Sequence, residues 1–330
     1  LRTSFEMREA QPVQVIHSKV DFQIELHEAR EAELNGIIQQ FIRKFDLSKA
    51  PLFRVGLVKL ATEKHALLFD LHHIITDGTS TNVIVQELID LYEGKDLPDL
   101  KVQYKDFAHW QNNSTSLEQE EEYWINQFKG EIPVLNLPLD YPRPAIQEFT
   151  GSRFAFRLNA DLTQSLQKTA SEHGATLYMV LLAAYNILLA RYTGQEDVVV
   201  GTVVSGRNHL DLERMVGIFI NTLPIRNYPQ KELTFKEFLG KVKENTLHAF
   251  ENQKYPYERL IDKLNVKRDL SRNPLFDVLF VMQNMAMPEM KAGGLNFTKY
   301  DFEIGTTIYD IFIQAVEDNG CINLVYDFST

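Results

Sequence analysis

The chain has 330 residues, of which 44% are hydrophobic and 24% are charged, so it is long and apolar enough to bury a large core. Its formal net charge of -11 argues against a nucleic-acid-binding surface and against an anionic membrane. Cys321 is the single cysteine, which excludes an internal disulfide and a cysteine-built metal site and suits a reducing compartment. We therefore expect a cytoplasmic protein with no nucleic-acid partner and no membrane partner.

Neither a targeting segment nor a membrane span is visible in the sequence. The longest apolar stretch, 179–190, is about half the ~20 residues that a spanning helix needs. It also contains Tyr185 and Asn186, so it predicts a buried helix. The first five residues lack signal-peptide character and resemble the middle of a helix-to-strand unit. We therefore expect the chain to be part of something longer.

Residues 1–131 predict a mixture of strands and helices. Apolar residues recur at helical spacing in some segments and form short β-rich runs in others. The predicted elements, in order, are strands within 13–26, a helix over 29–45, a hairpin of 52–60 and 65–73, a helix over 81–92, and a helix from 104 through the acidic run 118–122 to 128.

A composition shift at 132–150 predicts a domain boundary, because four prolines in this segment favour an extended inter-lobe linker. Residues 151–330 then begin again with a strand and mix helices with strands. The predicted elements are a strand over 151–158, helices over 162–173 and 176–192, a strand over 197–204, helices over 235–250 and 256–264, and strands over 276–282, 295–302, 306–315 and 321–328. The sequence therefore predicts an α+β fold in two lobes, 1–131 and 151–330.

The stretch with the clearest chemical character is 71–80. An apolar strand leads to His72 and His73, and Asp77-Gly78 supplies turn and helix-capping residues. Because successive strand side chains point to opposite faces, one histidine can face a cleft while the other packs behind the sheet. A histidine at a strand end suits general-base catalysis, and the backbone N–H groups of 78–80 could bind a developing oxyanion. We expect Asp77 to hold the loop by pairing with a cation.

Other chemistries have less support. His72, His73 and Asp77 are all possible metal ligands, but adjacent strand histidines point apart and no third cluster is evident, so no metal site is expected. A purely structural role for both histidines is the plain alternative. The sequence contains no Gly-x-Ser-x-Gly elbow, no cysteine near a histidine and no glycine-rich phosphate loop. These absences favour direct transfer between two bound substrates, with one histidine handling the proton.

Residues 72–78 resemble the HHxxxDG signature of condensation domains of nonribosomal peptide synthetases, which belong to the chloramphenicol-acetyltransferase-like superfamily. This motif alone is shared with epimerization domains and other acyltransferases. Further stretches resemble other motifs of the family in the expected order, namely 1–5, 104–110, 216–222, 252–258 and 268–275. The family's first motif, the start of its second and its final helix are absent, so the resemblance is to a domain incomplete at both ends.

The resemblance implies two chloramphenicol-acetyltransferase-like lobes that form a V-shaped pseudo-dimer with a central tunnel. An upstream donor carrier domain and a downstream acceptor carrier domain would dock at opposite mouths, and an adenylation domain would adjoin in a multidomain synthetase. Each carrier would present its substrate as a phosphopantetheine thioester, so the domain itself would bind no cofactor. The α-amine of the acceptor would attack the donor thioester and form a peptide bond.

The resemblance also implies roles for residues of the signature. His73 matches the functional histidine, as the proton acceptor or as the group that positions the amine. His72 and Asp77 match supporting positions, and Gly78 completes the motif. In this family the aspartate pairs with an arginine of the other lobe, for which Arg207 in Ser-Gly-Arg is the candidate here.

The resemblance leaves more than one role open for several residues outside the signature. Asn221 and Asn273 fall in matching motifs and are expected either to line the tunnel or to satisfy turns. Tyr104 is expected to pack the N-terminal lobe. Arg268 and Arg272 either meet an acidic carrier surface or brace the lobes.

Three other functions remain as alternatives. An epimerization domain usually carries tryptophan after Asp-Gly-x-Ser and lacks the seventh motif, whereas Thr81 follows Ser80 here and 268–275 is intact. A non-catalytic carrier-docking module tends to lose the active histidine. A free acyltransferase would act without two carriers. The form of 77–80 and the seventh motif favour a D-configured donor, but no pattern names the amino acids that are joined.

Overall fold

The computed structural model describes residues 1–113, 117–267, 269–283, 291–303 and 305–330. The strands in these ranges are β1 (Thr3–Arg8), β2 (Gln11–Ile16), β3 (Ile24–Glu28), β4 (Phe53–Ala61), β5 (Lys64–Leu71), β6 (Gly151–Leu158), β7 (Val198–Val204), β8 (Asn221–Asn227), β9 (Val278–Gln283), β10 (Lys291–Ala292), β11 (Leu295–Asn296), β12 (Ile311–Asp318) and β13 (Cys321–Ser329). The helices are α1 (Leu34–Phe41), α2 (Gly78–Tyr92), α3 (Tyr104–Asn113), α4 (Glu118–Gln127), α5 (Ala160–Glu172), α6 (Leu177–Thr193), α7 (Leu210–Glu213), α8 (Phe235–Glu251) and α9 (Tyr257–Leu264).

The chain forms two compact units that interleave along the sequence. The first unit comprises residues 1–114, 207–219 and 287–304. The second comprises residues 115–206, 220–286 and 305–330.

The first unit contains a three-stranded sheet in which β3 runs parallel to β4, and β4 runs antiparallel to β5. The hairpin of β4 and β5 confirms the predicted hairpin. Helix α1 covers one face, where Leu34 and Ile38 are buried against Val58. Strand β5 ends at Leu71, and the chain passes through a short 3-10 turn into α2. The sheet therefore determines where the histidine pair lies.

The second unit is built on a six-stranded mixed sheet of order β6-β13-β12-β9-β7-β8. Strand β9 runs parallel to both of its neighbours, and the other pairs are antiparallel. Helices α6 and α8 contribute Leu182, Leu189, Leu239 and Val242 to a core that also contains 198–200. Helices packed on a mixed sheet place this unit in the predicted α+β class.

No single helix in the parts of the chain that the structure describes is long and apolar enough to cross a membrane. Helices α5 and α6 meet the length and composition of a span only as a pair, and they are bent by 103°. Six apolar side chains of α6 are buried in the second unit, including Met179, Leu182 and Leu189. The helix predicted from the apolar stretch 179–190 is therefore a buried core helix, as expected.

The compact units differ from the predicted lobes, 1–131 and 151–330. Helix α4 precedes the predicted boundary but belongs to the second unit, because Trp124 and Phe128 are buried in that unit's core. Residues 207–219 follow the boundary but belong to the first unit. The single helix predicted from 104 to 128 is two helices, α3 and α4, and residues 114–116 lie outside the described part of the chain.

The predicted linker, 132–150, is packed on the second unit rather than extended as a free tether. Leu135 is buried, and the Gln195 side chain bonds the backbone on both sides of it, at Val134 and Asn136. Further along, Arg143 forms an ion pair with Asp310. The four prolines account for the absence of helix and strand in this segment, but side-chain contacts fix its path.

Candidate active site

The histidine turn begins where β5 ends. A single 3-10 turn, His73–Ile75, follows His72, whose backbone is extended. The His72 N–H donates to the carbonyl of Leu52 at 3.0 Å, and its Nδ1 accepts the N–H of Ile74 at 3.1 Å. Because Nδ1 accepts a hydrogen bond from a backbone N–H, the neutral His72 ring carries its proton on Nε2. His72 is therefore the cap of the turn that carries His73.

His73 is the first residue of this turn and is exposed. Its imidazole has no hydrogen bond to any residue in the described ranges, whereas Ile75 and Thr76 just beyond it are buried. The prediction that strand alternation separates the two histidines is wrong, because the strand ends at Leu71 and the separation is made by the turn. The turn is anchored by its buried end and leaves the His73 imidazole available to a substrate.

Asp77 is completely buried and caps α2. Its Oδ1 accepts the N–H of Ser80 at 2.7 Å, and its Oδ2 accepts the N–H of Phe219 at 3.0 Å. The carboxylate therefore holds the loop, as expected from its position in the turn. The Ser80 N–H is occupied by this contact, so it is not available to an oxyanion as the sequence suggested. Gly78, the first residue of α2, is exposed.

Arg207 is the cation that pairs with Asp77. Its Nη2 lies 3.0 and 3.4 Å from the two carboxylate oxygens and 2.8 Å from Oγ of Ser80. Its Nη1 donates to the carbonyls of Leu212 and Met215. The structure thus contains the predicted ion pair, but Arg207 lies in the same compact unit as Asp77, so the prediction that it comes from the other lobe is wrong.

The segment that follows Arg207 is held against α2 and α3. The Ser80 hydroxyl donates to the Gly217 carbonyl at 2.7 Å and accepts the Gly217 N–H at 3.0 Å. The Tyr104 hydroxyl donates to the carbonyl of Ile218 at 2.7 Å. A Cβ on Gly217 would lie 2.1 Å from the Tyr104 ring, so the close approach requires glycine. Burial raises the pKa of Tyr104 to about 12, and the charge of Asp77 acts in the same direction.

Gly217 and Phe219 were not among the residues predicted for the site, and Ser80 was expected there only through its backbone N–H. The Phe219 ring lies under the Arg207 guanidinium, 4.1 Å from its Cζ, which adds a cation–π contact to the ion pair. A signal was present in the sequence, because 216–222 resembles a family motif and Ser80 follows the signature. Tyr104 packs within the first unit as expected, and it also bonds this segment.

Asn221 and Asn273 lie in the second unit, where both amides bond the backbone. Asn221 Nδ2 donates to the carbonyls of Gln253 and Tyr255 at 2.8 and 2.7 Å. Asn273 Nδ2 donates to the carbonyl of Ile308 at 2.6 Å. Of the two roles that the sequence left open, these contacts match the satisfaction of turns.

Arg272 also has a bracing position in the second unit. Its Nη1 lies 2.5 Å from a carboxylate oxygen of Asp277 and 3.0 Å from the carbonyl of Leu135. Burial raises the pKa of Asp277, and the nearby charge of Asp310 raises it further, while Arg272 opposes both effects. Arg268, the other arginine of this motif, lies outside the described residues.

A cavity of about 510 Å³ lies within the first unit beside the histidine turn. Ile74 and Ile75 of the turn line it, together with Tyr104, Met215 and Gly217. In the described ranges no group of three or more His, Cys, Asp or Glu side chains is arranged to hold a metal ion. The residues around the turn thus combine the exposed imidazole of His73 with the buried ion pair of Asp77 and Arg207.

The fold and this site define an α+β protein in which a buried Asp–Arg pair frames a turn with an exposed histidine. Comparison with known families gives a match to the Condensation domain over residues 1–330. The chain therefore belongs to the condensation-domain family.

Its relatives are very large synthases. The chain is 49% identical over 333 residues to tyrocidine synthase 3 of Brevibacillus parabrevis and covers 5% of that protein. It is 49% identical over 334 residues to gramicidin S synthase 2 of Aneurinibacillus migulanus and covers 8% of it. Both alignments include the whole of this chain, which spans only a small part of each relative.

Solved structures share the fold at low sequence identity. The X-domain from teicoplanin biosynthesis is 24% identical with a TM-score of 0.92, and the alignment covers 100% of this chain and 78% of that one. A four-domain nonribosomal peptide synthetase bound to AMP and glycine is 22% identical with a TM-score of 0.90. That alignment covers 100% of this chain and 27% of the synthetase chain. These likenesses confirm the predicted α+β, chloramphenicol-acetyltransferase-like fold class.

Proposed function

We propose that this condensation domain forms a peptide bond between a donor aminoacyl or peptidyl thioester and the α-amine of an acceptor aminoacyl thioester. The observation that carries the proposal is the exposed imidazole of His73, which bonds none of the described residues and lies on a turn that His72 caps. The buried pair of Asp77 and Arg207 holds the start of the next helix in place. A fixed turn with an exposed imidazole suits the handling of a proton during acyl transfer.

The proposed reaction needs few protein groups. The amine nitrogen attacks the thioester carbonyl carbon, the carbon–sulfur bond breaks, and the lengthened peptide remains on the acceptor arm. An α-amino group has an ordinary pKa of ~7.7–8.0, so a useful fraction is neutral without a base. His73 then has one of two roles. It accepts the proton that the amine nitrogen loses after attack, or it holds the amine in line with the carbonyl.

The proposed partners are carrier domains of a multidomain synthetase in the cytoplasm. Each carrier would deliver its substrate on a phosphopantetheine arm, so the condensation domain would hold no cofactor of its own. The relatives support this setting, because tyrocidine synthase 3 and gramicidin S synthase 2 are much longer than this chain. An adenylation domain is the expected neighbour.

The fold alone does not separate catalysis from docking. The X-domain from teicoplanin biosynthesis shares the fold, and another solved structure is its complex with OxyB. Because of that complex, a docking module remains an alternative function. Epimerization of a carrier-bound aminoacyl group is a second alternative. The exposed imidazole of His73 favours a catalytic domain over both a docking module and a purely structural histidine pair.

The decisive experiment is single-turnover dipeptide formation between a donor-loaded and an acceptor-loaded carrier, with the intact domain and His73→Ala. We expect the substitution to lower the rate by about 100- to 10,000-fold, the usual contribution of a general acid or base. His65→Ala is the matched control, because His65 is exposed on β5 of the same sheet. This control is expected to keep the rate of the intact domain.

Each other outcome points to a different function. Scrambled α-carbon chirality on one carrier without dipeptide indicates epimerization. Carrier binding with neither product indicates a docking module, and turnover of small soluble thioesters without carriers indicates a free acyltransferase. A single-turnover rate with no acid limb between about pH 5 and pH 8 contradicts base catalysis by His73 and supports positioning of the amine.

A further inference from the structure

Phe45, a residue outside every motif assigned above, contacts the cap of the histidine turn, and Arg54 contacts Phe45. The rings of Phe45 and His72 are 6.0 Å apart between centroids and are inclined at 84°, an edge-to-face arrangement. The Arg54 guanidinium carbon lies 3.7 Å from the centroid of the Phe45 ring. This distance is well within the range of a cation–π contact. Phe45 is therefore in contact with both a fixed cation and the capping histidine.

Arg54 is itself fixed by polar contacts. Its Nη1 donates to the carbonyl of Arg43 at 2.8 Å, and its Nη2 donates to the carbonyl of Lys44 at 3.0 Å. Its Nη1 also pairs with the carboxylate of Asp70, the residue directly opposite Arg54 on the neighbouring strand. Both side chains of this pair are only 15% exposed. The guanidinium thus holds the backbone immediately before Phe45 and the Phe45 ring at the same time.

The orientation of the His72 ring decides whether the turn is capped. Its Nδ1 can accept the Ile74 N–H only when the imidazole is rotated toward that N–H, as it is at 3.1 Å. The backbone bond from His72 N–H to the Leu52 carbonyl fixes the main chain but leaves the ring free to rotate. Phe45 contacts the edge or face of this ring, with the two rings inclined at 84°.

We propose that Phe45, held by Arg54, is a positioning residue that fixes the His72 ring and thereby the turn that presents His73. The catalytic consequence rests on the function proposed above. The structural consequence does not, because the proton position on His72 can be measured without carriers. Loss of the Phe45 ring releases the imidazole, weakens its bond from Ile74, and allows the proton to occupy either nitrogen.

The test compares Phe45→Leu with the intact domain by nitrogen-15 NMR of the histidine rings at mildly alkaline pH. The intact domain is expected to show neutral His72 with its proton on Nε2, and Phe45→Leu a mixture of both tautomers. The single-turnover rate is expected to fall by up to about 100-fold, the effect of a misplacement of about 1 Å. Carrier affinity is expected to stay unchanged. Phe45→Tyr, which keeps the ring, is expected to restore both the tautomer and the rate.

Two further variants separate positioning from general packing. Phe22→Leu is the matched control, because its ring packs on Phe53, with centroids 4.8 Å apart, in the same unit. It is expected to leave the His72 tautomer and the rate unchanged. Arg54→Lys keeps a cation beside Asp70 but cannot hold both carbonyls and the ring, so a partial mixture of tautomers is expected. This milder variant decides the question if Phe45→Leu does not fold.

The outcomes are distinguishable from those of the proposed function. A single Nε2–H tautomer in both Phe45→Leu and Arg54→Lys overturns the positioning role, whatever the rates. A tautomer change with equal rates overturns its catalytic consequence. If the intact domain makes no dipeptide, the proposed function fails, and the tautomer measurement still decides whether Phe45 orients His72.

Discussion

The guanidinium of Arg207 and the carboxylate of Asp77 form an ion pair that is almost completely removed from solvent, with side chains 4% and 0% exposed. Each partner is also bonded to backbone, the carboxylate by the N–H groups of Ser80 and Phe219 and the guanidinium by two carbonyls. The pair therefore joins the start of α2 to a segment 130 residues later. A buried pair of this kind is costly to break from one side, because the remaining charge is left without a partner.

Replacing one partner is expected to destabilise the domain strongly. Arg207→Met should lower the free energy of unfolding by about 3–5 kcal/mol. The double variant with Asp77→Asn should lose much less than the sum of the two single variants. Urea unfolding of the four proteins gives this coupling directly. Lys64→Met is the control, because Lys64 pairs with Glu31 on the surface, and a surface pair contributes about 1 kcal/mol or less. Equal losses of unfolding free energy for Arg207→Met and Lys64→Met would contradict a stabilising role for the buried ion pair.

The Ser80 hydroxyl is expected to contribute through its contacts with the Gly217 backbone. Ser80→Ala leaves the Gly217 N–H and carbonyl without their partner, which should cost about 1–3 kcal/mol of unfolding free energy. Amide exchange at Gly217 should become faster at the same time. Ser165→Ala is the control, because Ser165 bonds only to its own helix on the surface and should change stability by about 0.5 kcal/mol or less. Unchanged exchange at Gly217 would show that Ser80 does not hold this segment.

Gly217 and Tyr104 are expected to be coupled, because a Cβ at 217 would meet the Tyr104 ring at 2.1 Å. Gly217→Ala should cost about 1–3 kcal/mol through overpacking. Most of this cost should disappear in a Tyr104→Leu background, where the ring is absent. Gly240→Ala is the control, because Gly240 lies within α8 with no atom near the added methyl group, and it should stabilise the domain by about 0.5–1 kcal/mol. Thermal unfolding of the variants tests the coupling.

Local features of the site could be predicted from the sequence, and long-range features could not. The hairpin of β4 and β5, the cap at Asp77 and the histidine pair all lie within 53–80, where propensity and turn chemistry act over a few residues. The predicted strand ran two residues past its actual end at Leu71, so the turn, and not strand alternation, separates His72 from His73. The assignment of 207–219 to the first unit depends on contacts with Ser80 and Asp77 that lie 127–142 positions away, and no local pattern encodes them.

Asp46, which directly follows Phe45, gives a pH dependence that can be measured. The Ser48 hydroxyl, the Lys49 ammonium group and the Ser48 N–H all contact its carboxylate and lower its pKa from 3.8 to about 2. Because the folded state has the lower pKa, this carboxylate contributes to stability fully above about pH 4. The contribution is lost as the pH falls from about 4 toward 2.

Ser48→Ala removes the contact that lowers the Asp46 pKa most, and Lys49→Gln removes the second. Carbon-13 NMR of the Asp46 carboxyl group should show the titration midpoint near 2 in the intact domain. The midpoint should rise toward 3.8 in both variants, and further in Ser48→Ala. The urea midpoint between pH 4 and pH 2 should accordingly fall less steeply in Ser48→Ala than in the intact domain, because less of the stability depends on the charge. A carboxyl midpoint that stays near 2 in Ser48→Ala would show that the serine hydroxyl is not what stabilises the ionised Asp46.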